Sequence, residues 1–192
     1  MTGSIRLEGY AIVSANGMIA DSDCLMPNSL KFEADQEFLE SSLDKAELLV
    51  HGRKSHECQA ASHLRKRLLM TRCVTTFELD PSAQNVWLWN PAGISFDNVC
   101  RELGVTEGVV AIIGGTAAYD MFLPFYAAFH MCRANKVALP GGVPVLSAVR
   151  DGHPPDRVLS GAGLKLAEEI TLDPTHELRH QTWRRSVEVC EV

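Results

Sequence analysis

Short apolar blocks separated by polar punctuation recur along the whole chain. The first, LEGYAIVSA at 7–15, is apolar and rich in small residues, and predicts a buried strand. NGMIADSD then supplies a turn and a short extended piece. Between 32 and 43, FEADQEFLESSL sets Phe32, Phe38, Leu39 and Leu43 at roughly helical spacing with acids between them, and predicts a helix. Glu47-Leu48-Leu49-Val50, RLLMT at 67–71 and VWLW at 86–89 predict three more strands. SFDNVCREL at 95–103 predicts a helix capped by Ser95, with Asn98 three positions on. VVAII at 109–113 predicts a strand, and TAAYDMFLPF a helix ended by Pro124. LPGG at 139–142 breaks the apolar stretches beyond it, and the closing ELRHQTWRRSVEVCEV alternates as a strand at a sheet edge would.

Strands alternating with helices predict an α/β fold with a largely parallel sheet, and the crowded late strands predict antiparallel additions at one side. The chain has 192 residues, 46% of them apolar, which suits one domain over 1–192 with one sizeable core. Net charge is -6, and the densest basic run, Arg65-Lys66-Arg67, reads as solvated surface. This balance excludes nucleic acid as the expected partner. No apolar run approaches the roughly 18 residues that span a bilayer, so no membrane role is expected. The six cysteines form no C-x-x-C pair, and MTGSIRLEGY lacks a signal-peptide layout, which fits a cytoplasmic protein with reduced thiols. His176 and His180 stand four apart with no third ligand in place, so no metal is expected. Trp87, Trp89 and Trp183 read as core or interface residues.

Three strand ends carry the candidate chemistry. Gly114-Gly115 follows VVAII and opens a helix; glycine lets a ligand approach the backbone, and the helix start offers unpaired amides to an anion. Gly52-Arg53-Lys54-Ser55 places a glycine, two cations and a hydroxyl after another strand. Thr71 and Arg72 follow a third. Each alone reads equally well as a tight turn; together they suit a ligand with several phosphates.

These segments, with Ala11–Asp21 at the first strand, occur in an order and at separations that resemble the dihydrofolate reductase-like superfamily. The resemblance covers most of the first 125 residues. It implies a single domain with a mostly parallel twisted sheet, flanked by helices and completed by antiparallel C-terminal strands. It implies NADPH as cofactor, approached by Ile19, Ala20, Gly52, Arg53, Lys54, Ser55, Thr71, Arg72, Gly114, Gly115, Thr116 and Ala117. Arg72 suits the extra phosphate of NADPH. Asp35 matches the catalytic acid that holds a substrate's nitrogen edge, and Ile12, Met26, Leu39 and Arg65 match substrate-binding positions. Asp35 reads equally as a first-turn helix acid, and the Arg65 run reads better as a solvated basic turn.

The implied activity is hydride transfer to a pterin- or pyrimidine-type heterocycle. The alternatives are a 5-amino-6-(5-phosphoribosylamino)uracil reductase-type activity of the riboflavin branch, and a non-catalytic nucleotide-binding protein of the same fold. Asn28, Leu39, Ala117 and Cys132 depart from the folate-reducing pattern, while VALPGGVPVL and GAGLKLAEE look more like the riboflavin branch. That branch also implies a homodimer contact through the late strands.

Overall fold

The computed structural model describes residues 4–53 and 61–186. In chain order the first half holds β1 (Ile5–Ser14), β2 (Met18–Ala20), α1 (Glu33–Leu43), β3 (Ala46–Gly52), β4 (Arg67–Met70), β5 (Phe77–Leu79), β6 (Val86–Trp89) and α2 (Phe96–Glu102). The second half holds β7 (Gly108–Gly114), α3 (Thr116–Phe122), β8 (Ala128–Ala134), β9 (Val143–Pro144), α4 (Ser147–Arg150), α5 (Pro155–Gly161), β10 (Leu164–Asp173) and β11 (Leu178–Arg185).

Nine of these strands form one sheet in the order β10-β11-β8-β1-β7-β3-β4-β6-β5, and β2 pairs with β9 apart from it. The central pairings, β8-β1-β7-β3-β4-β6, are parallel; β11, β10 and β5 add antiparallel strands at the two sides. The expected α/β architecture, mostly parallel with antiparallel additions, is therefore present.

Strand alternation sorts the core into two faces. Val13, Val50, Ile112, Phe129 and Met131 point to one face, where α2, α3, α4 and α5 bury Val99, Tyr119, Phe122, Val149 and Leu159 in the main core. Tyr10, Ile12, Leu49, Ala111 and Cys132 point to the other, which α1 covers with Phe38, Leu39 and Leu43. Ser95 caps α2 as expected, its Oγ accepting from the Asn98 amide. The same helix ends with Val105 N donating to Cys100 O and Gly104 N to Arg101 O, with Gly104 at φ 69°. That pair of bonds satisfies the last carbonyls and requires the left-handed backbone that glycine allows.

Several sequence expectations are corrected. The C-terminal strand is not the edge: β11 lies between β8 and β10, and β10 is the outermost strand on that side. β10 escaped the pattern because most of its positions are exposed on both faces, so burial imposes no alternation on it. β5, α4 and α5 were also not anticipated; they span only three, four and seven residues. Pro124 does not end α3, which stops at Phe122; Pro124 lies in the 3-10 turn Leu123–Phe125 that follows. The basic run is not plain solvated surface, since Arg65 is buried and paired with Asp44, its Nη2 2.6 Å from Oδ1. Among the described residues no helix is long and apolar enough to cross a membrane.

Gly9 is fixed by space rather than torsion. It sits opposite Phe129 in the β1–β8 register, and a Cβ there would lie 2.3 Å from Phe129 Cδ2. Phe129 is fully buried and in ring contact with Tyr119 and Tyr126, so it has little room to yield. Gly9→Ala is expected to cost about 1–3 kcal/mol by overpacking, read as a lower urea midpoint with unchanged m-value.

Candidate functional site

The parallel strands end side by side. His51 pairs with Gly114, Gly52 with Met70, and Met70 with Trp89. The three turns singled out in the sequence therefore open along one rim, at the carboxyl ends of the strands, where ligands of open α/β sheets sit. The rim borders a cleft of about 1420 Å³, which also reaches under α1 and along β2. That exceeds the roughly 300–1,000 Å³ of an ordinary small-molecule pocket and leaves room for a dinucleotide with a second ligand.

Ile19, Ala20, Gly52, Arg53, Thr71, Arg72, Gly114, Gly115, Thr116 and Ala117 all line this cleft, as do Asp35, Ile12, Met26 and Leu39. Lys54 and Ser55 lie outside the described residues. Arg65 does not line the cleft; its Nε and Nη2 both reach Asp44, just beyond the C-terminus of α1. The substrate-binding position expected for it is thus not where its side chain lies.

Gly115 precedes α3 with φ 80° and ψ 132°, a backbone that side chains strongly disfavour. Thr116 and Ala117, the first residues of α3, line the cleft beside it, and Thr116 Oγ1 donates to Pro144 O, tying the helix start to the β2–β9 ribbon. Across the rim, Arg53 Nη1 donates to Cys73 Sγ at 3.3 Å, and Thr71 Oγ1 accepts from the Cys73 amide at 3.1 Å. Glycines without Cβ bulk, a helix start and two guanidinium groups thus line one stretch of the cleft, groups whose chemistry suits an anion.

Asp35 occupies the first turn of α1, three residues before Phe38 and four before Leu39, on the face turned to the sheet. It is 9% exposed. Burial pushes its carboxyl from the ordinary 3.8 up to about 6, and the side-chain hydrogen bond with Cys132 pulls the other way. Burial and this neighbouring carboxyl in turn push the Cys132 thiol up. A carboxyl in this state is protonated often enough near neutrality to give up a proton, and can hold an N–H edge when ionised.

The same cleft holds residues that sequence reasoning did not propose: Phe38 on α1, Tyr10, His130 and His180 beneath that helix, and Asn90 at the far rim. The signal for His130 was its place in AFHMCRA, where it alternates with Phe129 and Met131 and so faces the side that α1 covers.

Solved structures with this architecture cover almost the whole chain. A dihydrofolate reductase from Enterococcus faecalis, in complex with NADP(H), matches 95% of this chain and 97% of its own, at 16% identity and TM-score 0.63. The chain has the dihydrofolate-reductase-like fold. A protein assigned to riboflavin biosynthesis from Shewanella sp. PV-4 matches 95% of this chain and 99% of its own, at 16% identity and TM-score 0.67. A diaminohydroxyphosphoribosylaminopyrimidine deaminase/5-amino-6-(5-phosphoribosylamino)uracil reductase from Thermotoga maritima matches at 13% identity and TM-score 0.66; this chain spans 57% of that longer protein. No family model and no curated protein matches the sequence.

Proposed function

We propose that the protein is a reductase that uses NADPH to reduce a pterin- or pyrimidine-type heterocycle. One observation carries this reading: the glycine and arginine rim and the buried Asp35 open onto a single cleft. A polyanion cradle beside a water-poor acid is what hydride and proton delivery to one C=N bond requires.

When bound, the nicotinamide cofactor supplies the hydride. Gly115, Thr116 and Ala117 would hold its diphosphate with backbone amides; Gly52 permits close approach, and Ile19 and Ala20 would flank the ring. Arg53 and Arg72 would take the remaining phosphate. Asp35 would grip the heterocycle's N–H edge and hold the proton for its nitrogen, with Cys132 orienting the carboxyl. Met26, Ile12 and Leu39 would wall the ring off from water.

Within this class, the position of Arg65 favours a substrate other than folate. Its guanidinium is committed to Asp44, so it offers no site in the cleft for a tail carboxylate. Aminouracils without a tail carboxylate are therefore the better first choice.

The test is loss of dihydronicotinamide absorbance when purified protein and NADPH meet a panel of dihydropterins and aminouracils. Turnover of one of them supports the reading. Tight NADPH binding with no turnover across the panel would favour the non-catalytic alternative. Arg72→Ala is expected to cut the preference for NADPH over NADH about tenfold, the scale of one lost charge-assisted hydrogen bond. An unchanged ratio of the two dissociation constants would remove Arg72 from cofactor selection.

A further inference from the structure

Next to Asp35, the floor of the cleft beneath α1 is a row of rings. Tyr10 stacks on His130 with centroids 4.7 Å apart and planes at 11°. His130 stacks on His180 at 5.6 Å and 15°, and Phe38 closes over His180 at 4.1 Å. The sheet register sets this row: Tyr10 pairs with His130 across β1 and β8, and His180 pairs with Cys132 across β8 and β11. His180 is thus one strand away from the thiol that bonds Asp35.

Two polar atoms in this row have no partner. His130 Nδ1 and His180 Nε2 are buried and make no hydrogen bond, and His180 is only 5% exposed. Buried polar atoms almost always find partners, and leaving two unpaired in adjacent rings is costly. Both rings line the cleft, while the two nitrogens themselves are shielded from solvent, so a partner from the cleft meets them once the ring edges turn toward it.

The charge around the row narrows what that partner can be. Burial pulls His180 down to about 4, with His130 adding to the effect, so it is neutral at ordinary pH. Behind the row stands Glu8, whose Oε2 accepts from Tyr10 Oη at 2.7 Å and lies 3.5 Å from His130 Nε2. That contact with His130 holds the Glu8 carboxyl below the ordinary range despite its partial burial. Arg53 and Arg72 follow β3 and β4, beyond β7 from this row, and Lys31 Nζ donates to Asn28 Oδ1. Arg6 Nε lies 3.7 Å from the other Glu8 oxygen, Oε1, on an exposed side chain that solvent screens, so an anion placed here would still lose water next to a carboxylate. Hydroxyl groups, which donate or accept as each ring nitrogen requires, could meet them without that cost.

We propose that this end of the cleft is a subsite for an uncharged, hydroxyl-bearing substituent of the substrate, held by His180 and His130, from which Glu8 excludes anionic substituents. The inference rests on the heterocycle reading and deepens it: the substrate is a pyrimidine or pterin with a neutral polyol arm, without a phosphate or carboxylate on that arm.

Three alkylaminouracils of matched length test it, ending in a diol, a carboxylate or a methyl group, titrated into the NADPH-saturated protein. The diol is expected to bind about tenfold tighter than the methyl compound, and the carboxylate more weakly than either. His180→Phe keeps a flat ring but removes the nitrogens, and should bring the diol-to-methyl ratio near one. His180→Gln should restore part of the preference, and Glu8→Gln should improve carboxylate binding. A carboxylate that binds as tightly as the diol, or a diol preference that survives in His180→Phe, overturns the proposal. If no uracil binds, the heterocycle reading has failed, and the subsite is decided separately by ribitol and imidazole nitrogen NMR. Movement of the His180 and His130 resonances with ribitol would then retain the subsite; none would dismiss it.

Discussion

Asp35→Asn is expected to lose at least about 100-fold in turnover and, at neutral pH, to make the unliganded protein more stable. The two effects have one cause. The Asp35 carboxyl is raised from 3.8 to about 6 chiefly by burial, so the native state binds its proton more tightly than the unfolded chain does. The resulting stabilisation is fully present below about pH 3.8 and is lost as pH rises through about 6. Between those limits the cost of ionising the buried group grows to about 3 kcal/mol, so a neutral asparagine should recover about 1–3 kcal/mol at pH 7. Thermal unfolding at pH 5 and pH 8 checks the sign: the advantage of the variant should be larger at pH 8. In turnover, kcat/KM of the wild type should fall as pH rises past about 6, where the acid form is depleted. A variant with full activity would remove Asp35 from the mechanism. A variant less stable at pH 8 would mean that the carboxylate is favourably paired rather than desolvated.

Gly115→Ala is the second large effect. The torsions φ 80° and ψ 132° belong to a region that only glycine occupies cheaply. Alanine there should cost about 1–3 kcal/mol or force the turn to rotate, moving the first amides of α3 off their aim. NADPH binding should weaken at least about tenfold. Gly104→Ala is the control. It also has positive φ, at 69°, but it ends α2, nothing lies within 4 Å of its added Cβ, and it is not on the cleft. It should lose a comparable amount of stability and leave NADPH binding unchanged. Equal weakening of binding in both variants would show that general destabilisation, not the shape of the turn, is being read.

The central sheet was legible in the sequence because its strands are buried on both faces and so appear as unbroken apolar blocks. VVAII and ELLV are of this kind, and their ends at Gly114 and Gly52 gave the rim directly. β10 was not legible for the opposite reason: a largely exposed strand carries no period. Asp35 carried a signal of its own, being an acid at a position where the spacing to Phe38 and Leu39 calls for an apolar residue. Arg65 shows the limit of position as a guide, because its side chain is claimed by Asp44, which follows the far end of α1. The ring row under α1 depends on which strands are neighbours. Tyr10, His130 and His180 are far apart in sequence and meet only through the order β11-β8-β1.

The most direct test of the account is titration of the purified protein with NADPH, followed by fluorescence, with NADH as the control. The account predicts saturable binding that is tighter for NADPH than for NADH and weakened in Gly115→Ala. No binding of either dinucleotide would contradict it, and the three strand-end turns would then be turns alone.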